Sequence, residues 1–148
     1  MEIRIVNPAE WIVKVRYLLE ANWAETGFDF PFNPSVEMYQ AMADAGIAFA
    51  LAAFDGEKVI GYCTVCVAKH PHNPDVIVGA NDALYVDPEY RQGTATGRLI
   101  RAAEDEAKRR GAIRFTWHCR AGTGFADVLE RHGYQPVDVV VMRGLYGN

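Results

Sequence analysis

The sequence has no run of apolar residues approaching the roughly 18 that a membrane-spanning helix requires. Its first residues, MEIRIVNPAEW, also lack the uninterrupted apolar core of a secretory signal peptide. Basic residues are in slight deficit, since the formal net charge is -4 at pH 7. Proteins that bind nucleic acids usually carry a basic surface. We therefore expect a cytoplasmic protein whose partners include neither a membrane nor a nucleic acid.

Cysteine is scarce and odd in number, with only Cys63, Cys66 and Cys119. An odd count in a chain without an export signal indicates free thiols. The CTVC stretch has the CxxC spacing, but it lies within a predicted strand, where residues three apart point to opposite faces. His70 and His72 form an H-x-H pair, and no third ligand follows at a convincing spacing. We therefore expect neither a redox pair nor a metal site.

No repeat, low-complexity tract or interdomain linker interrupts the 148 residues, a length that suits one domain over 1–148. The predicted order of elements is β-α-α-β-β-β-α-β-α-β. The first helix covers NPAEWIVKVRYLLEANWAE, with Asn7 as its N-cap and Pro8 at its first position. The last segment, YQPVDVVVMRGL, reads as a final strand or a strand pair broken near Pro136. Consecutive strands followed by a βαβ unit predict an α/β (α+β) fold with a mixed sheet.

The stretch DPEYRQGTATGRLIRAAE predicts a strand end at Val86, a turn, and a helix that begins near Thr94. The first N–H groups of a helix have no intrahelical acceptor and form a ready site for an anion. The turn combines small residues, hydroxyls and guanidinium groups, which suits a pyrophosphate: Arg91, Gly93, Thr94, Ala95, Thr96, Gly97 and Arg98. The alternative is a capped helix whose small residues serve packing. The turn matches neither the P-loop nor the dinucleotide-binding pattern.

The segment LYVDPEYRQGTATGRLIRAAE resembles the acetyl-CoA-binding motif of the GCN5-related N-acetyltransferases (GNAT). Residues Gln92 to Gly97 fit the form Q-x-x-A-x-G, with alanine and threonines where many members have glycine. FADVLERHGYQP resembles a later segment of the family, F-Y-E-K-x-G-F, and the order of elements is also similar. The block from HPH to ANDALYVDPEYR is similar to members encoded by bacteriophages.

The resemblance implies a mostly antiparallel sheet of six or seven strands flanked by about four helices, with a splayed pair of parallel central strands. Acetyl-CoA would be the cosubstrate, and its acetyl group would pass directly to an amine. The backbone of Tyr85 and Val86 would contact the pantetheine arm. The pyrophosphate would be held by Arg91, Gln92, Gly93, Thr94, Ala95, Thr96, Gly97 and Arg98.

The residues that move protons are less clear from the resemblance. Asp82 lies four residues before Val86, where a family carboxylate often lies, and it is the first candidate for the general base. His118, near the end of the splayed strand, is the second, and Cys119 as an acyl carrier is a weaker idea. Family members often protonate the leaving thiolate with a tyrosine, but Leu129 occupies that position here.

The acceptor would lie beside the loop GFDFPFNP between the first two helices. Phe28, Phe30 and Phe32 either form an aromatic lip for the acceptor or cover the core. His70 and His72 are candidates to line the same site. Nothing in the sequence identifies the amine.

Three functions remain open at this point. The first is an acetyl-CoA-dependent N-acetyltransferase that acts on a primary amine of a small molecule or protein. The second is a CoA- or acyl-CoA-binding module without transferase activity, which the leucine at position 129 favours. The third is a toxin-like enzyme that acts on charged tRNA, against which the acidic balance argues. The VDVVVMRGL end is either an interior strand or the contact of a homodimer.

Overall fold

The computed structural model describes residues 1–146, which contain one five-stranded sheet, five α-helices and a short 3-10 turn. The chain divides into two units, Met1–His118 and Cys119–Asn148. The first unit contains the whole sheet and four of the helices, and the second contains the last helix. None of the helices within residues 1–146 has the length and hydropathy that crossing a bilayer requires. The single domain expected over 1–148 stays a prediction.

The strands follow one another across the sheet in chain order, from β1 to β5. Their bounds are β1 Glu2–Val6, β2 Ala48–Asp55, β3 Lys58–His70, β4 Asn73–Val86 and β5 Ala112–Thr116. Each neighbouring pair is antiparallel except β4 and β5, which are parallel. The predicted parallel pair therefore exists, but among residues 1–146 it lies at one side of the sheet rather than in its centre.

The helices of the first unit are α1 Pro8–Lys14, α2 Arg16–Thr26, α3 Val36–Asp44 and α4 Ala95–Arg109. The Asn7 side chain accepts hydrogen bonds from the N–H groups of Ala9 and Glu10, so it caps α1 as predicted. The single helix expected over this region divides at Val15, whose φ of -120° and ψ of 33° are not helical. This division accounts for one helix more than the four expected.

Apolar side chains fill both faces of the sheet. On one face, Leu99 and Ala103 of α4 are fully buried against Phe49 and Val65 of the central strands. On the other face, Trp11 and Leu18 of the first two helices pack with a second cluster that includes Tyr62 and Tyr85. Both faces of β3 and of the end of β4 are therefore covered, which fixes the register of β4. That register positions the candidate site.

The second unit contains α5, Phe125–Arg131, within the segment that resembles the later family motif. Leu129 is a buried residue of this helix. No strand occurs between Tyr134 and Tyr146, so the structure has five strands rather than six or seven. Val139, Val140 and Val141 are 87–89% exposed. High β-propensity does not form a strand without a neighbouring strand to supply hydrogen bonds, and this segment has none within residues 1–146.

Candidate active site

The turn that follows β4 is anchored to the β2–β3 hairpin. Asp87 begins the 3-10 turn Pro88–Tyr90, where its carboxylate accepts a hydrogen bond from the N–H of Glu89 at 3.0 Å. The Asp87 N–H donates to the carbonyl of Ile60 at 2.8 Å. The Tyr90 hydroxyl donates to Asp55 in the hairpin at 3.0 Å. These contacts hold the chain in place immediately before α4.

The N-terminus of α4 lacks a side-chain cap. Thr94 occupies the N-cap position with helical backbone angles, and its side chain makes no capping hydrogen bond. The first helical hydrogen bond runs from the Arg98 N–H to the Thr94 carbonyl at 3.0 Å. The N–H groups of Ala95, Thr96 and Gly97 have no acceptor within residues 1–146 and carry the positive end of the helix dipole. This end of the helix can therefore bind an anion.

The small residues of this segment have different surroundings. Ala95 is buried and packs in the core with Leu99. A Cβ built on Gly97 would meet nothing within 4 Å, and one on Gly93 would meet only the Tyr90 carbonyl at 3.6 Å. Both glycines thus face open space rather than packed protein. Gly97 in particular leaves the uncapped N–H groups accessible.

The two arginines of the segment already have partners. The Arg91 guanidinium binds both carboxylate oxygens of Glu25 on α2 at 2.9 Å, and its Nε donates to the Val86 carbonyl at 2.7 Å. Arg98 donates to the carbonyl of Met1 at 3.0 Å. Exposed ion pairs contribute about 1 kcal/mol or less, so a phosphate can compete with Glu25 for the Arg91 guanidinium. Arg91 therefore links α2 to the end of β4.

The parallel strands β4 and β5 separate part of the way along their length. Their ladder runs from Ile77 opposite Ala112 to Ala80 opposite Thr116, and it ends there. Beyond this point β4 continues to Val86 with only β3 as its partner within residues 1–146. The backbone of β4 between Asn81 and Val86 therefore has one open edge. We call the space along this edge the slot.

Asp82 lies at a β-bulge beside the slot. Thr64 of β3 is opposite Ala83 and Val65 is opposite Asn81, so Asp82 is the extra residue on β4. Bulges redirect side chains and are frequent beside active sites. The exposed Asp82 carboxylate accepts a hydrogen bond from the Tyr39 hydroxyl of α3 at 2.6 Å. Burial, and then the charge of Asp82, raise the pKa of Tyr39, which keeps its hydroxyl protonated as the donor.

His118, the second candidate base, lies just beyond β5 and is exposed. Its backbone is held by Asn81, whose side-chain oxygen accepts from the His118 N–H at 2.6 Å. The Asn81 amide also donates to the His118 carbonyl at 3.3 Å. Asp82 follows Asn81 in the chain, so the structure brings both candidate bases to the same end of the slot.

The phenylalanines of the loop between α2 and α3 surround Trp23. Its ring stacks on Phe28 at a centroid distance of 4.6 Å and contacts Phe30 and Phe32 at 5.2 and 5.6 Å. The Trp23 indole N–H donates to the Phe30 carbonyl at 3.2 Å. Phe28 and Phe30 are 43% and 52% exposed, and neither belongs to the two core clusters. The group is therefore a surface cluster with accessible aromatic faces.

His70 and His72 lie at the turn between β3 and β4, with ring centroids 5.5 Å apart. The turn that leads to α4 follows the opposite end of β4, and Asp82 lies nine residues beyond Asn73, a path of about 30 Å at 3.3 Å per residue. The structure therefore does not bring the two histidines together with Asp82. No group of three potential metal-ligating side chains occurs within residues 1–146.

Cys63 and Cys66 are free thiols. Cys63 is fully buried in the core on the α4 face, where burial raises the pKa of its thiol. Cys66 is only partly buried. The two thiols of the CxxC spacing therefore have different environments, as expected for a strand.

Sequence reasoning missed Glu25, Tyr39 and Asn81. Each of them forms a side-chain hydrogen bond with a site residue that lies 37 to 66 residues away in the sequence. No local motif includes them. Asn81 alone had a signal, since it directly precedes a candidate catalytic carboxylate.

The fold is similar to that of solved acetyltransferases. AAC(6')-Iy, in complex with the bisubstrate analog CoA-S-monomethyl-acetylneamine, aligns with a TM-score of 0.75 at 15% identity over 99% of this chain and 98% of that one. The ribosomal-protein-alanine N-acetyltransferase from Brucella melitensis biovar Abortus 2308 aligns with a TM-score of 0.71 at 16% identity, over 99% and 100% of the two chains.

A third similar structure is the aminoglycoside acetyltransferase meta-AAC0020 from an uncultured soil metagenomic sample, in complex with sisomicin. It aligns with a TM-score of 0.72 at 17% identity, over 99% of this chain and 95% of that one. A sequence search of curated proteins found no match. The model of the acetyltransferase (GNAT) family matches residues 15–134, most of the chain. This chain therefore belongs to the GNAT family of N-acetyltransferases, which use acetyl-CoA.

Proposed function

We propose that this chain transfers the acetyl group of acetyl-CoA to a primary amine by direct transfer. The observation that carries the proposal is the uncapped N-terminus of α4, which is joined by the turn containing Pro88–Tyr90 to a strand with one open edge. An anion site and an extended slot thus adjoin, as a ligand with a pyrophosphate and a long amide-containing arm requires. Family membership supplies the reaction class.

The turn and the start of α4 suit the pyrophosphate. The N–H groups of Ala95, Thr96 and Gly97 are free to donate, and the open space over Gly97 admits a phosphate oxygen. Arg91 can exchange Glu25 for the phosphate, and Arg98 can leave the Met1 carbonyl. The residues proposed to hold the pyrophosphate are Arg91, Gln92, Gly93, Thr94, Ala95, Thr96, Gly97 and Arg98.

The slot suits the pantetheine arm. An extended ligand with amide groups can pair with an open strand edge as an added strand does. Between Val86 and Asp82 the edge is four residue steps, about 14 Å at 3.4 Å per residue. The arm has about twelve bonds between phosphate and sulfur, equivalent to four residues of extended backbone or about 14 Å. Tyr85 and Val86 would contact the arm where it leaves the pyrophosphate.

Asp82 is the proposed general base. An amine attacks the thioester carbonyl carbon only after it has lost a proton, and the Asp82 carboxylate is exposed beside the slot to receive it. As the new C–N bond forms, the C–S bond breaks and CoA leaves as the thiolate. The hydrogen bond from Tyr39 holds the carboxylate in one orientation. His118, at the same end of the slot, is the alternative base.

The thiolate that leaves must take up a proton. With Leu129 at the position where the family often has a tyrosine, we propose that water supplies it. A buried leucine neither donates nor accepts a proton, so this position supports the alternative of a CoA-binding module without activity.

The acceptor is proposed to lie against the surface cluster around Trp23. Phe28 and Phe30 offer exposed aromatic faces, to which an ammonium group is attracted. One of the similar structures is an aminoglycoside acetyltransferase in complex with sisomicin, and another is a ribosomal-protein-alanine N-acetyltransferase. An acceptor that carries an amine is consistent with both names. His70 and His72 would contact only an acceptor that extends along β4.

The release of CoA thiol from acetyl-CoA, measured without an acceptor and with a panel of primary amines, tests the proposal. We expect slow release without an amine and acceleration by at least one amine, with a product that has gained one acetyl group. Calorimetric titration with acetyl-CoA and CoA separates the two functions. Binding without amine-dependent release would identify the binding module, and the absence of both would contradict the proposal.

A further inference from the structure

The Asn81 side chain closes one end of the slot. Its amide oxygen accepts the His118 N–H at 2.6 Å, and its amide N–H donates to the His118 carbonyl at 3.3 Å. A side-chain amide here makes the two hydrogen bonds that a strand backbone would make. At this point β4 and the segment after β5 are therefore joined through a side chain rather than through the backbone ladder that ends at Ala80 and Thr116.

Below Asn81 the strands leave no room for a ligand. The last paired residues are Ala80 and Thr116, which adjoin Asn81 and His118 by only one and two positions. One residue lower, a Cβ built on Gly79 would be 2.9 Å from the Phe115 ring and 3.2 Å from Ala107. Such a contact is tighter than ordinary van der Waals packing. The closed end of the slot is thus tightly packed and cannot deepen.

The other end of the slot opens at the start of α4, where the pyrophosphate is proposed to bind. The sulfur end of the arm would consequently approach Asn81. The edge from Val86 to Asp82 is four residue steps, about 14 Å, which equals the length of the arm and brings the sulfur to Asp82. Asn81 is the next residue along β4, so the space that remains before its side chain is at most one residue step, about 3 Å, the length of the two further bonds of an acetyl group.

We propose that Asn81 determines which acyl group the chain accepts, because its side chain closes the slot at the depth of an acetyl group. The inference rests on the proposed use of acetyl-CoA and adds a residue that sets donor specificity. Longer acyl chains, such as butanoyl, would have to displace the Asn81 amide and leave both backbone groups of His118 unpaired. Asn81 acts by shape and position and takes no part in proton transfer.

Calorimetric titration with acetyl-CoA and butanoyl-CoA tests this role without an acceptor. The wild-type chain is expected to bind acetyl-CoA at least tenfold more tightly than butanoyl-CoA, since each extra methylene in a fixed pocket lowers the affinity tenfold or more. Asn81→Ala is expected to shift the ratio of the two dissociation constants at least tenfold toward butanoyl-CoA. Asn81→Asp keeps the size of the side chain, so the preference for acetyl-CoA is expected to remain. Asn81→Ser replaces Asn81→Ala if thermal melts show that the alanine variant does not fold.

Asn73→Ala is the matched control. Asn73 is on the same strand, and its side chain also accepts a backbone hydrogen bond, from Asp75 at 3.1 Å, but at the far end of β4. This control is expected to leave the ratio unchanged. Equal wild-type affinity for both thioesters, or an unchanged ratio in Asn81→Ala, would overturn the inference while the proposed function stands. A wild-type chain that binds neither thioester would overturn both.

Discussion

At the scale of single residues, substitutions of Asp82 and of its hydrogen-bond partner Tyr39 distinguish a catalytic carboxylate from a structural one. If Asp82 takes the proton of the amine, Asp82→Asn should lower kcat by a factor on the order of 100 or more. Tyr39→Phe removes only the 2.6 Å hydrogen bond that orients the carboxylate, so we expect a loss of about tenfold. Steady-state kinetics with an accepted amine measure both.

The control for this pair is His118→Asn, which removes the alternative base but keeps a polar side chain. It should change kcat much less than Asp82→Asn. A larger loss in His118→Asn than in Asp82→Asn would transfer the role of base to the histidine.

Glu25 competes with the proposed pyrophosphate for Arg91. Glu25→Gln should therefore tighten the binding of CoA by about two- to fivefold, because the exposed ion pair that must break contributes about 1 kcal/mol or less. Glu20→Gln is the matched control, since Glu20 is on the same helix and pairs with Arg16 at 2.9 Å. Calorimetric dissociation constants compare the variants. Weaker CoA binding in Glu25→Gln would show that the ion pair instead shapes the site.

At the scale of elements, the start of α4 combines low helix propensity with the proposed anion site. Gly97→Ala should stabilise the fold by about 0.5–1 kcal/mol, because alanine is the better helix former and its Cβ meets no neighbour. The same Cβ enters the space over the free N–H groups, so the affinity for CoA should fall about tenfold. Thermal melts and calorimetry give the two values.

Asp105→Ala, an exposed position further along α4, is the control for that substitution. It should also raise stability through helix propensity and leave the affinity for CoA unchanged. If Gly97→Ala were to bind CoA as tightly as the wild type, the anion site would lie elsewhere.

The other end of α4 predicts how stability depends on pH. Hydrogen bonds from Arg109, and then from Arg110, lower the pKa of the buried Glu106 from 4.5 to about 2. The folded state thus favours the carboxylate, and this contribution is complete above pH 4.5 and is lost as the pH falls toward 2. Glu106→Gln should cost about 1–2 kcal/mol at pH 7 and show a smaller decline below pH 4.5. Urea denaturation over a pH series measures this, with the exposed Glu57→Gln as control.

Elements were predictable where a periodic pattern or a cap determined them. Asn7 with Pro8 specified the start of α1, and the apolar stripe of α4 specified its buried face. The break at Val15 has no proline or glycine to mark it. The contacts that define the site could not be read from local sequence. Asn81 and His118 are 37 residues apart, and Glu25 and Arg91 are 66 apart, so only the packing of distant elements brings each pair together.

At the scale of the whole molecule, the observed order of elements and the match to the GNAT family agree with the predictions made from the sequence's resemblance to that family. The number of strands does not, because the apolar segment after Pro136 has no partner strand within residues 1–146. A homodimer that covers this segment, a bacteriophage-type origin and a cytoplasmic location stay predictions.

Direct acetyl transfer is best tested by the ratio of amide formed to CoA thiol released when the chain, acetyl-CoA and a primary amine are combined. Direct transfer predicts one amide for each thiol, with release that depends on the amine and falls in Asp82→Asn. Thiol release without amide would indicate hydrolysis alone. Acetyl-CoA binding with neither product, for every amine tested, would contradict transfer and leave a CoA-binding module.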